Sequence, residues 1–142
     1  MSRPKRQRTV QNPPIMEGFR PFGIPIKDLE PVILLFEEYE AFRFCDYEGL
    51  KQEEAALSMG VSRPTLTRIY EQARKSIAKA FVEGKALFID GGNFHTDDFW
   101  YRCNACLKLN ICEEAIHHCI YCQADDLRRL DQKPSKHDHE TE

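Results

Sequence analysis

The sequence predicts a mainly α fold, a three-helix domain followed by a small cysteine-rich module, on three observations. An apolar stripe runs at helical spacing through Leu66, Ile69, Tyr70, Ala73, Ile77, Ala80 and Phe81. The stretch "QEEAALSMGVSRPTL", Gln52 to Leu66, looks like two helical pieces hinged at a glycine. Five of the six cysteines crowd into twenty residues near the C-terminal end. A chain of 142 residues, 42% hydrophobic, supports one modest core and a satellite held by something other than apolar burial.

Each element has a local reason. Residues 1–18 are basic at the start and interrupted by "NPP", which reads as a flexible arm. "FRPFGIPIKDL" follows as an extended segment with apolar anchors at Phe19, Phe22 and Ile24. Phe36, Tyr39, Phe42 and Cys45 share one face of a first helix, and "EGL" makes the corner after it. A second short helix, Gln52 to Met59, carries Glu53 and Glu54 in its first turn, where carboxylates complement the helix dipole. Gly60 ends it. Ser62 is an N-cap, and Pro64 sits in the first turn of the third helix, where a missing backbone donor costs nothing. Gly84 closes that helix, "KALFIDGGNF" forms a short extended piece, and Gly91 and Gly92 make a hinge. The predicted organisation is an arm (1–18), a helical domain (19–92), a cysteine-rich module (93–126) and a disordered tail (127–142), with "DDLRRL" a short helical end.

The net charge of -3 hides blocks of opposite sign. Arg3, Lys5, Arg6 and Arg8 cluster without an acid, and Arg63, Arg68, Arg74, Lys75 and Lys79 face Glu71 alone. A polyanion responds to local surfaces over a Debye length of roughly 8 to 10 Å, so the acidic average does not exclude nucleic acid. The longest apolar run, "VILLF", is far too short for a membrane span or a signal-peptide core, so the expected location is the cytoplasm, without membrane partners.

The Gln52–Glu71 stretch fits a helix-turn-helix. Ala56, Gly60 and Val61 supply the small residues and turn, with Leu66 and Ile69 packed behind them. The opposite face of the third helix then offers Ser62, Arg63, Thr65, Thr67, Arg68 and Glu71 at its N-terminal end, with Arg74 and Lys75 further along. Base reading is expected first of Arg63, Thr67 and Arg68, since arginine can grip a guanine edge through two hydrogen bonds. Phosphate contact is expected of Ser62, Thr65, Arg74 and Lys75, and of the arm through Arg3, Lys5, Arg6 and Arg8. The competing reading of each basic residue is a solvated surface charge.

The combination of "FRPFGIP", "EEYEAFRFCDYEGLKQEEAALSMGVSRPTLTRI" and "GKALFIDGG", from about residue 3 to 92, resembles a prokaryotic family of predicted DNA-binding proteins, domain-of-unknown-function family 134. Its helix-turn-helix is similar to region four of bacterial sigma factors. The resemblance implies a transcription-related binder of double-stranded DNA, in contact with the transcription machinery, whose recognition helix starts at Ser62.

"YRCNACLKLNICEEAIHHCIYCQ" holds Cys103-x-x-Cys106 and Cys119-x-x-Cys122 twelve residues apart. Two converging knuckles present four thiolates to one tetrahedral ion, which predicts a zinc-ribbon-like module with a structural zinc. Cys112, His117 or His118 could replace a ligand, and an iron–sulfur cluster is the alternative cofactor. Phe94, Phe99, Trp100 and Tyr101 are expected to cover the metal turn or dock it against the helices.

The function expected is sequence-specific DNA binding in transcription regulation, with no enzymatic turnover, because no acid pair or nucleophile–base set stands out. The alternatives are a zinc-dependent protein adaptor and a metal or redox sensor. A homodimer is left open, since no dimer helix is identifiable.

Overall fold

The computed structural model describes residues 8–25 and 30–131 and divides the chain into two compact units, Met1–His95 and Thr96–Glu142. The expected mainly α fold is corrected: among the described residues, three α-helices accompany eight short strands in three sheets, an α/β fold. The strands were hidden because each is two to five residues long. No alternating pattern can establish itself over such lengths.

In the first unit, β1 (Arg8–Thr9) and β2 (Gly18–Phe19) precede β3 (Val32–Leu34). The helices follow: α1 (Phe36–Phe42), which runs on through a π-helical turn (Arg43–Tyr47), α2 (Gln52–Met59) and α3 (Arg63–Glu83). They are succeeded by β4 (Leu87–Ile89) and β5 (Phe94–His95). β3 and β4 pair in parallel, with β2 antiparallel on the other edge of β4, so the whole helical segment is the crossover between two parallel strands. This is why "VILLF" and "KALFIDGGNF", far apart in sequence, share one sheet. β1 pairs in parallel with β5.

The helices pack around Ala41, Phe44, Ala55, Ala56, Met59, Leu66 and Ile69. Three acids of α1 are also buried and serve as acceptors for loop amides. Glu40 accepts from the Gln11 backbone at 2.5 Å and from Arg43 Nε at 2.8 Å, Glu38 from the Leu35 backbone at 2.9 Å, and Glu37 from the Asn93 backbone at 3.0 Å. These charges tie the segments flanking the domain to α1. Burial raises the Glu38 carboxyl above its ordinary value, partly opposed by the Leu35 amide.

The apolar stripe of α3 is also corrected. Leu66, Ile69, Ala73 and Ala80 are buried as expected, but Phe81 is 86% exposed. A stripe read from spacing alone extends as far as the apolar residues do, whereas the surface that covers it ends sooner.

The second unit is a three-stranded antiparallel sheet in the order β7 (Leu109–Cys112), β6 (Phe99–Cys103), β8 (Leu127–Arg129). "DDLRRL" therefore supplies a strand rather than the expected helical end. Phe94 belongs to the first unit, where its ring lies 5.0 Å from that of Phe36. No helix among the described residues is long and apolar enough to cross a membrane.

Candidate functional site

The two Cys-x-x-Cys segments fold as copies of one turn. Cys103 donates its N–H to the Lys108 carbonyl at 3.1 Å and accepts from the Leu107 amide at 2.9 Å; Cys119 donates to Ala124 at 2.8 Å and accepts from Gln123 at 3.0 Å. Both turns end on a residue in left-handed conformation, Leu107 and Gln123, each with φ 67°. The tight reversal leaves both sulfurs of each pair on its concave side. The four sulfurs of Cys103, Cys106, Cys119 and Cys122 lie within 4.8 Å of one another, in position to hold a metal ion. Two of the separations are 3.6 Å (Cys103 to Cys122) and 3.7 Å (Cys106 to Cys119). A tetrahedron with metal–sulfur bonds of about 2.3 Å has edges of about 3.8 Å.

Backbone and side-chain donors already point at the sulfurs. The Cys106 amide is 3.4 Å from Cys103 Sγ, the Tyr121 amide 3.4 Å from Cys119 Sγ, and the Asn110 side-chain amide 3.6 Å from Cys119 Sγ. Burial opposes ionisation of Cys119, but N–H groups of Cys122, Tyr121 and Asn110 outweigh it and hold the thiol at about 6. At Cys122 the Ala124 amide favours the thiolate, yet burial and the other three cysteines push it up to about 11. A cation held at the centre would relieve that crowding. Cys112 lies on β7 opposite Phe99, and it, His117 and His118 stand outside the four-sulfur group.

Asn110 is a site residue that sequence reasoning missed. Besides its bond to Cys119 Sγ, its side-chain oxygen accepts from the Ile120 amide at 2.8 Å, so one buried amide braces the second knuckle from β7. In "LNIC" the apolar Leu109 and Ile111 suggest that Asn110 faces water, but the pleat turns Ile111 outward and Asn110 inward. Arg102, also missed, donates to the Leu107 carbonyl at 3.3 Å and braces the first knuckle.

A left-handed backbone costs an L-residue roughly 1 to 2 kcal/mol, and the Leu107 side chain is largely exposed. Leu107→Gly should therefore tighten metal retention in competition with a chromophoric chelator, by up to about tenfold. Weaker retention would show that the leucine side chain matters more than its backbone.

The nucleic-acid candidates sit on the first unit. Gly60 ends α2 at φ 66°, and Ser62 Oγ accepts the Thr65 amide at 3.3 Å to cap α3, with Pro64 in the first turn. Arg63, Arg68, Glu71, Arg74 and Lys75 are exposed. Arg63 pairs with Glu53 across the turn at 3.2 Å, and Arg68 donates to the Thr65 hydroxyl at 3.3 Å. Thr67 is bonded to the Gln52 side chain, and Arg74 leans on the Tyr70 ring and Asp46. Arg8 is in β1, whose Thr9 hydroxyl lies beside Gly60; Arg3, Lys5 and Arg6 fall outside the described residues.

Residues 1–97 match the family model described as Protein of unknown function DUF134. The chain belongs to this family. Curated relatives of this DUF134 protein carry the name UPF0251 protein. One from Halothermothrix orenii is 44% identical over 118 residues, covering 83% of this chain and 86% of its own. One from Chloroherpeton thalassium is 40% identical over 132 residues, 92% of this chain and 87% of its own. One from Caldanaerobacter subterraneus is 52% identical over 94 residues, 66% of this chain and 80% of its own. No solved structure matches. The DUF134 match stops before Cys103, so the four-sulfur cluster lies beyond the residues that define the family here.

Proposed function

We propose that this DUF134 protein is a sequence-specific DNA-binding transcription regulator in which α2, the Gly60 turn and α3 form a helix-turn-helix of the kind found in sigma-factor region four. The carrying observation is the start of α3: a serine-capped N-terminus with no acid in its first turn and exposed Arg63 and Arg68 beside it. Pro64 has no N–H and the Thr65 amide is taken by Ser62, so it is the positive end of the helix dipole and the two arginines that suit entry into a phosphate-lined groove. Arg68 reads a base edge, and Lys75, two turns along, touches phosphate. Thr67 positions the two helices through Gln52 and leaves reading to the arginines. β1 lies beside the turn through Thr9, so Arg8 accompanies α3 to the same duplex. The role is binding, without turnover.

The four-sulfur cluster holds one zinc ion that fixes the fold of the second unit. Sulfurs within 4.8 Å suit a single ion, whereas a multi-iron cluster must spread its thiolates around a larger core. Elemental analysis of purified protein should return one zinc per chain.

The DNA reading is tested with matched and mismatched duplexes. Arg68→Ala should lose about 1 to 3 kcal/mol of discrimination, at one position of the site. Lys75→Ala should weaken all duplexes alike and reduce the salt slope by about one. Equal, sequence-blind losses from both variants would leave only a basic surface.

A further inference from the structure

The first unit carries an apolar cavity of about 520 Å³ between the C-terminal turns of α3 and the β2–β4–β3 sheet. Around it, aromatic rings stand in water: Phe22 is 98% exposed, Phe81 86% and Phe19 61%. Taking about 200 Å² for a fully exposed phenylalanine, these three present roughly 500 Å² of apolar surface. That is near the upper end of what a soluble monomer leaves uncovered. It is also most of the roughly 800 Å² that each partner contributes to a standard interface.

We propose that this face is a homodimer interface, occupied by a second copy of the chain. A twofold contact must be self-complementary, and here protruding rings, Phe22 and Phe81, adjoin an apolar hollow on the same face. A ring from each copy fills the hollow of the other. The charges at the rim also suit self-association. Arg20, held over the Phe88 ring, lines the hollow without a carboxylate partner among the described residues, and Lys85 lines it with the Glu83 carboxylate 3.4 Å from its ammonium. Facing copies therefore meet with both signs rather than like against like.

The interface sits at the end of α3 opposite Arg63 and Arg68. Phe81 lies thirteen positions along the helix from Arg68, about 20 Å at 1.5 Å per residue. A twofold axis near the cavity places the two Arg68 ends up to about 40 Å apart, which includes the spacing of about 34 Å between successive major-groove faces. This corollary rests on the DNA-binding reading; the dimer itself does not.

The test is the mass of the full chain in solution by light scattering and sedimentation equilibrium. Wild type should have twice its 16.6 kDa chain mass. Phe22→Glu and Phe81→Glu, at exposed positions, should each be monomeric while keeping wild-type far-ultraviolet dichroism. A monomeric wild type at concentrations of about 100 micromolar would overturn the proposal. So would a dimer that survives both substitutions with unchanged dissociation constant, or stoichiometric binding of anilinonaphthalene sulfonate to a monomer, which would make the hollow a small-molecule site. Loss of DNA affinity without change of mass would bear on the regulator reading alone.

Discussion

Cys119→Ser is expected to unfold residues 96–131 while α1, α2 and α3 remain folded. Among its described residues the second unit has few large buried side chains, chiefly Trp100 and Tyr101, too few to hold it by apolar burial. Structural zinc contributes on the order of 10 to 16 kcal/mol to the folding of small thiolate modules, and loss of one ligand removes much of it. Cys119 is a stringent choice because its side chain is fully buried and its sulfur accepts from both Tyr121 and Asn110. Serine, a poor zinc ligand, leaves the site short of one thiolate. Amide hydrogen exchange should show protection abolished across β6, β7 and β8 and kept in α3, and chelation of wild type should give the same pattern. Protection retained in β6 after either treatment would mean that metal does not staple this unit.

Leu66→Ala should cost the first unit about 2 to 5 kcal/mol, the usual range for truncating a fully buried leucine. Leu66 has no exposed surface and packs with Phe44, Ala55 and Met59, so it fixes α3 against α2. The denaturant midpoint followed by helical dichroism should fall accordingly. A change under about 1 kcal/mol would indicate that the helices close over the hole. Because the residue sits one turn inside the helix start, DNA affinity should fall with stability, whereas Arg68→Ala should alter affinity without altering stability.

The helices were legible because their ends carry their own chemistry. Gly60 supplies a left-handed cap, Ser62 an acceptor, Pro64 a preset first turn, and Gly84 a second left-handed stop. The sheets were not, because β2, β3 and β4 depend on partners far along the chain and Val32–Leu34 reads only as an apolar run. The four cysteines were legible from spacing, since both knuckles are local turns. Asn110 was not, because its role comes from the strand pairing that turns it toward Cys119. Phe81 misled in the opposite sense: its spacing assigned it to the core, and its exposure points to a surface that another copy covers.

That the start of α3 reads DNA is tested most directly by selecting bound fragments from random duplex DNA with the full chain at moderate salt. A defined motif should be enriched, and Arg68→Ala should no longer prefer guanine at one position of it. Retention of duplexes without any enriched motif, or no retention at all, would contradict base reading by this helix.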